Sequence, residues 1–384
     1  MGPGKTFDFI IIGGGVMGAS TAYHLAIRGY KNILLLEKEE FFGTGATGRC
    51  AGGVRYQFGT AINVRLSLDS LPMLERFKEE IGQEIDYRKI GYLFLLTNTD
   101  EEAVFKRNVE MQNRLGVQTE WLSGDDIRKR LPMMRLDDVI AGSFNPADGL
   151  VDPNSVVMGY ISAAQRLGCQ AISSTPVTGI HTQSGRVVGV DTPSQMLSSP
   201  VVIDATGPWA NLTSQMAGID VPVTPLRRQW LTTNALTELP LDFPFVIDFS
   251  QSLYFHPEGR GLLTGMSNPH EIPGYDQNID LDWELVHMEA AIKRLPLLER
   301  AGLASRMAGL YEVTPDAHPI FGKTPLDGYY IVTGFSGHGF MHGPITGKLM
   351  SEIILDGKAI TLDISMLDLA RFSENRLIHE YNVV

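Results

Sequence analysis

The chain has 384 residues with 43% hydrophobic content, enough for one large or two moderate domains that fold without staples. Its 44 acidic against 32 basic residues give a net charge of -12, which repels polyanions and argues against a nucleic-acid partner. The two cysteines, Cys50 and Cys169, lie far apart without a CxxC or Cys/His cluster. That pattern excludes a disulfide framework and structural zinc, and it fits a reducing cytoplasm.

The apolar stretch Phe9 to Ala19 is preceded by Asp8 and interrupted by three successive glycines, so it reads as strand, turn and helix and not as a signal peptide. No other segment approaches the ~18 to 20 apolar residues that cross a bilayer. Phe7 to Ile12 (strand), Gly15 to Arg28 (helix) and Asn32 to Glu37 (strand) form a βαβ unit. Helical spacing runs from Arg65 to Leu115 and is broken at Gly91 to Leu96 by a buried strand that leaves the first sheet. A helix over 155–168 precedes strands at Ala171 to Ile180 and Arg186 to Asp191, then a buried strand from Val201 that runs into Gly207. Between about 223 and 306 the pattern changes to polar and aromatic strands, Gln229 to Thr233 and Leu253 to His256, before a helix from Asp282 to Arg294. The end returns to α/β character, with strand Tyr329 to Thr333, a glycine loop Gly334 to Gly339, and a helix from Gly343 to Leu355.

Gly13-Gly14-Gly15-Val16-Met17-Gly18 satisfies G-x-G-x-x-G after a strand and at the opening of a helix. Gly13 permits the tight turn, Gly15 lets a pyrophosphate approach the backbone, and Gly18 allows close helix-to-strand packing. The helix N-terminus adds unpaired N–H groups. Glu37 ends the second strand, where a carboxylate accepts bonds from ribose hydroxyls. The motif alone suits NAD and FAD equally. The small-residue loop Phe41 to Gly53 lets backbone wrap an extended ligand, and Ala205-Thr206-Gly207-Pro208-Trp209 marks a second strand that ends in glycine. His256, His318 and His338 lack the spacing of a metal triad, so no metal is expected.

Four blocks resemble the D-amino-acid oxidase superfamily of flavoproteins over essentially the full length: the glycine unit with Glu37-Lys38, Arg49 to Phe58, Ile203 to Ala210, and Thr314-Pro315-Asp316 with Gly334 to Phe340. Tyr92 to Leu96 and Phe105 to Asn108 resemble the β subunits of heteromeric sarcosine oxidase and dye-linked L-proline dehydrogenase. The resemblance implies an α/β fold, α+β overall. A discontinuous Rossmann-like FAD-binding unit (1–85, 146–222 and 307–384) is interwoven with a substrate unit (86–145 and 223–306) built on an antiparallel sheet flanked by helices. It implies FAD contact by Gly13, Gly15, Val16, Met17, Gly18, Glu37, Lys38, Gly45, Thr47, Arg49, Cys50, Gly52, Val177, Ala205, Thr206, Gly207 and Trp209. At the flavin end it adds Gly337, His338, Gly339, Phe340 and Met341, where backbone N–H groups would stabilise charge arriving on the flavin.

At the position of Arg55 the sarcosine oxidases and proline dehydrogenase β subunits bind the substrate carboxylate, a task suited to a guanidinium fork. The alternative for Arg55 is pairing with an internal Asp or Glu. Tyr254 and Tyr311 match aromatics of the substrate pocket, or else serve the core. Monomeric sarcosine oxidase links its flavin through a cysteine where this chain has Gly309, which implies non-covalent FAD. Met341 replaces a lysine that follows Gly-His-Gly-Phe in those enzymes. A further lysine that promotes reaction with oxygen has no counterpart in Gly261 to Ser267, which favours a dehydrogenase over an oxidase.

The expected reaction is oxidation of a small amino acid or secondary amine, such as L-proline or sarcosine, by hydride transfer to flavin N5. A dye-like acceptor, a quinone or oxygen takes the electrons. An α subunit, with or without an FMN at the interface, is the implied partner. A peroxide-producing glycine or sarcosine oxidase, a flavin-binding assembly factor and an NAD-dependent dehydrogenase are the rival readings.

Overall fold

The computed structural model describes residues 6–383. A six-stranded sheet carries the βαβ unit, in the order Ile320–Lys323, Tyr329–Thr333, Val202–Asp204, Phe9–Ile12, Ile33–Leu36, Gln170–Ile172. All neighbours are parallel except the first pair. Parallel strands need cover on both faces, and Phe9–Ile12 meets that need with a continuous apolar run. Phe9 and Ile11 face the helices Val16–Ile27, Pro153–Arg166 and Gly339–Asp356, while Ile10 and Ile12 face Val187, Val190 and Leu197 of a three-stranded hairpin layer. Each of the three chain segments 1–85, 146–222 and 307–384 contributes two of the six strands.

An eight-stranded sheet forms the second layer, in the order Leu303–Val313, Thr224–Thr233, Gly261–Met266, Leu253–Glu258, Phe245–Asp248, Tyr92–Leu96, Ala141–Asn145, Glu120–Ser123. It has its own core, in which Leu93, Val246, Phe255 and Leu262 meet Ala291 and Leu295 at the helix Leu281–Arg294. The expected antiparallel sheet therefore has one exception, since Phe245–Asp248 runs parallel to Tyr92–Leu96.

Several expected boundaries shift. The strand placed at Ala171 to Ile180 is two strands in different sheets, Gln170–Ile172 and Gly179–Gln183, because Ser174 with φ 51° and Pro176 turn the chain between them. The helix expected from Gly343 begins four residues earlier, at Gly339, and carries Pro344 inside it. Thr224–Thr233 starts five residues before Gln229, pairing along its length with Leu303–Val313, a strand missed in the sequence. The expected border between 306 and 307 falls inside that missed strand. Among the described residues no helix is long and apolar enough to cross a membrane, no cluster could hold a metal ion, and both cysteines are free.

Candidate active site

The glycine turn after Phe9–Ile12 has no room for side chains. Gly13 has φ +109°, and a Cβ there would overlap the Ala205 carbonyl oxygen; a Cβ on Gly18 would overlap the carbonyl oxygen of Gly13. Gly15 caps the helix Val16–Ile27 without a side-chain bond and with no acid in the first turn, so the positive end of that helix is open to an anion. Thr47 Oγ1 accepts from Val16 N at 3.2 Å. Glu37 accepts from Gly14 N at 2.7 Å and from Glu39 N at 2.9 Å, which fixes its carboxylate at the strand end.

A groove of about 740 Å³ runs from this turn. Gly13, Gly15, Val16, Met17, Glu37 and Lys38 line its start, joined by Gly45, Thr47, Arg49 and Cys50. Val177, Ala205, Thr206, Gly207 and Trp209 complete the lining, with the Lys38 ammonium 3.6 Å from the Trp209 ring centroid. Gly337, Gly339 and Phe340 close the far end. Gly18 lies beneath the groove and not on it, as its packing role requires.

The far end is built by the loop between Thr333 and the helix Gly339–Asp356. Gly334, Ser336 and Gly337 all have positive φ, at +81°, +50° and +100°. The turn spends its own N–H groups internally, with His338 N on the Phe335 carbonyl at 3.0 Å, and leaves those at the start of the helix as the donors towards the groove. Glu312, absent from the expected site, anchors the loop: its carboxylate accepts from Phe335 N at 3.2 Å and its backbone carbonyl from Ser336 N at 3.2 Å. Burial pushes the Glu312 carboxyl up to about 7, against the pull of those bonds. His338 caps the helix without a side-chain bond, and no acid occupies the first turn. Burial first, then His342, His318 and Arg55, hold His338 well below its ordinary value, so the imidazole is neutral; both ring nitrogens are buried without a partner.

A second cavity, about 110 Å³, shares Arg49, Cys50, Leu310, Tyr311, Gly337 and Phe340 with the groove, so the two meet there. Arg55, Tyr254, Tyr311, His338, Met341 and Gly52 line it. Gly52, His338 and Met341, expected at the cofactor, thus lie on this cavity and not on the groove. Arg55 is 6% exposed and pairs with no carboxylate among the described residues, against the internal ion-pair alternative. Its guanidinium donates to the carbonyl of Gln57 and, at 2.6 Å, to that of Asn382, and lies 4.1 Å from the Phe58 ring centroid. Burial lowers its pKa, the direction expected of a cation held out of water.

The aromatic wall is wider than the sequence indicated. Tyr92 stacks on Phe245 at 4.1 Å, and Tyr254 lies 5.7 Å from the same ring. Gly53 and Gly265 leave space for the phenols of Tyr92 and Tyr254, since a Cβ at either glycine would overlap them. Burial raises the pKa of all three tyrosines, Tyr92, Tyr254 and Tyr311, and pushes the Cys50 thiol up to about 12. Arg228 and Trp230 also line this cavity and were missed. The available signal was strand alternation in Arg228-Gln229-Trp230, which places both on one face once the strand is extended back to Thr224.

A protein-family profile described as "FAD dependent oxidoreductase" matches residues 8–353. The chain belongs to that family. This oxidoreductase is 31% identical over 96% of its length to rat dimethylglycine dehydrogenase, and 30% identical over 98% to human sarcosine dehydrogenase. It spans 45% and 42% of those two chains, less than half of each. The crystal structure of L-proline dehydrogenase from P. horikoshii superposes with a TM-score of 0.90 and 33% identity, over 98% of this chain and 100% of that one.

FAD is the cofactor of the family, and the residues present fit it. The side-chain-free turn at Gly13, Gly15 and Gly18 suits a pyrophosphate, Glu37 a ribose, and the uncapped N-terminus of the helix Gly339–Asp356 a ring with carbonyl oxygens to be met by N–H groups. Gly309, which faces Arg49, offers no sulfur for a covalent link.

Proposed function

We propose that this chain oxidises a small amino acid or secondary amine that carries a carboxylate, with L-proline and sarcosine heading the candidates. The observation behind this reading is Arg55, a buried guanidinium without an acidic partner among the described residues, in an aromatic cavity that meets the cofactor groove. Arg55 binds the carboxylate and so orients the adjacent C–H. Tyr92, Tyr254, Tyr311 and Phe245 exclude water from the carbon chain. Met341 adds apolar surface.

Bound FAD supplies the two-electron acceptor. Gly337 to Phe340, at the open N-terminus of the helix Gly339–Asp356, present the positive potential that favours electron arrival there. The cavity lining has no carboxylate among the described residues and His338 is neutral, so the substrate amine enters without its extra proton and the chain supplies no strong base. The strand Gly261–Met266 carries no lysine to assist reaction with oxygen, which supports a dehydrogenase that passes electrons to a quinone or dye-like acceptor. The six-stranded sheet supports the cofactor unit of the expected division, whereas Leu303–Val313, which the expected border cuts, belongs to the eight-stranded sheet of the substrate side.

The test is anaerobic titration of the yellow purified protein with proline, sarcosine and glycine. One of them is expected to bleach the colour, and Arg55→Met is expected to weaken that substrate about thirtyfold or more, from the ~2–5 kcal/mol for cutting one partner from a buried charge pair. A colourless protein that takes up no added FAD, or a yellow one bleached by no amino acid, would overturn the reading.

A further inference from the structure

We propose that Arg228 is a second anion-binding group of the cavity, and that the substrate is a secondary amine bearing two carboxylates, one met by Arg55 and the other by Arg228. The inference rests on the amine-oxidising reading above and narrows its substrate class.

Arg227 and Arg228 are neighbours on the strand Thr224–Thr233 and point to opposite faces. Arg227 holds three acids with its terminal nitrogens, Glu271 and Asp276 at 3.1 Å and Asp280 at 3.4 Å, although its Nε is buried without a hydrogen-bond partner. Arg228 pairs with no carboxylate among the described residues. One of its terminal nitrogens donates to the Arg227 carbonyl at 2.9 Å, and its Nε is buried without a hydrogen-bond partner. Since both arginines leave Nε unpartnered, what separates them is the counter-charge: Arg227 has three acids and Arg228, among the described residues, has none.

The cavity makes the imbalance plain. Its lining includes Arg49, Arg55 and Arg228 but, among the described residues, neither Asp nor Glu. Arg49, which donates to the carbonyls of Thr44 at 3.1 Å and Ala308 at 2.8 Å, also lines the cofactor groove, whereas Arg55 and Arg228 line the cavity alone. Arg55 and Arg228 remain, and they enter from different walls. Arg55 lies against Phe58 and Phe94, at 4.1 and 5.4 Å, and reaches the Asn382 carbonyl of the C-terminal segment. Arg228 lies 5.2 Å from the ring centroid of Tyr311 on the sheet wall. Burial raises the Tyr311 phenol while Arg228 and Arg55 both pull it down, so Tyr311 stands within electrostatic reach of each. A substrate with one carboxylate matches one of these cations, whereas an amine flanked by two carboxylates matches both.

The test uses the FAD-loaded protein and two sulfur isosteres that have no amine to oxidise, thiodiacetate with two carboxylates and (methylthio)acetate with one. Calorimetric titration is expected to show thiodiacetate binding about ten- to a hundredfold tighter. Arg228→Met should bring the ratio of the two affinities to about one, and Arg55→Met should weaken both probes. Equal affinity in the unsubstituted protein overturns the assignment, as does a ratio that Arg228→Met leaves unchanged. If (methylthio)acetate binds in an Arg55-dependent way in either case, the broader amine reading stands alone. If neither probe binds, or Arg55→Met alters neither, that broader reading fails as well.

Discussion

Gly347 of the C-terminal helix lies directly on Ser20 of the N-terminal helix, so closely that a Cβ at 347 would overlap the Ser20 carbonyl group. One turn earlier Gly343 meets Val16 in the same way. The two helices whose open N-termini face the groove are thereby locked side by side, which sets the spacing between the glycine turn and the loop before Gly339.

Gly347→Ala tests that lock. Alanine gains about 1 kcal/mol of helix propensity over glycine, but overpacking against backbone costs about 1–3 kcal/mol and sometimes more. A net fall in stability is expected, with a Tm drop of a few degrees and weaker FAD retention. A thermal melt followed by flavin fluorescence reads both, and an unchanged or raised Tm would show that the helices can part freely.

Asp316 of the Thr314-Pro315-Asp316 block serves the framework. Its carboxylate takes Arg371 at 2.8 and 3.0 Å, with both side chains fully buried. Burial pushes the Asp316 carboxyl up, and the guanidinium more than offsets it, leaving the group below the usual carboxylate range. Arg371→Met leaves that charge unpaired and is expected to cost about 3–5 kcal/mol in urea unfolding, with spectral properties of bound FAD preserved in the folded fraction.

Glu380 ties down the C-terminal segment whose Asn382 carbonyl holds Arg55. It accepts from Gly59 N at 2.8 Å, Thr60 N at 3.1 Å, Thr60 Oγ1 at 2.8 Å and Asn63 Nδ2 at 3.1 Å, all at the start of the helix Ala61–Glu75. A carboxylate there also complements the helix dipole. Glu380→Gln should loosen the segment by about 1.5–3 kcal/mol, seen as faster hydrogen exchange in a peptide covering Gly59 and Thr60. Equal exchange in the two proteins would mean that these bonds do not hold the segment.

His287 carries a pH dependence remote from the cavity. It is buried with its Nε2 3.0 Å from Thr264 Oγ1, and burial lowers its pKa to about 4. Below its unfolded value of about 6.5 the unfolded chain binds a proton that the folded chain refuses, so this histidine's contribution is lost as pH falls from 6.5 towards 4. His287→Gln should flatten the acid side of the stability curve by about 1.4 kcal/mol per pH unit across that window. Urea midpoints between pH 4.5 and 7.5 measure the difference, and parallel curves would count against a neutral buried imidazole.

Local pattern was enough for the βαβ unit, the glycine turn with Glu37, and the buried strand Tyr92–Leu96, because strand and helix periods and the φ demands of glycine are written residue by residue. Arg55 and Tyr311 were legible as site candidates through motif resemblance, and the structure brings them to one cavity. Arg228, Trp230 and Glu312 were not. Arg228 lay just outside the expected strand start, and nothing in its neighbourhood distinguishes it from Arg227, which meets three acids. The split of Ala171 to Ile180 between two sheets escaped for a related reason, since two short strands with a turn between them leave the same apolar trace as one.

Chain order thus determined which segments become strands, helices and tight turns, since those follow from short-range sterics and side-chain spacing. Only the tertiary structure decided which of two adjacent arginines is satisfied by acids and which faces a cavity. Pairing partners 44 and 53 residues away in sequence, Glu271 and Asp280 for Arg227, lie in the segment that follows Gly261–Met266, and the pairing of that strand with Thr224–Thr233 brings them near without any local signal.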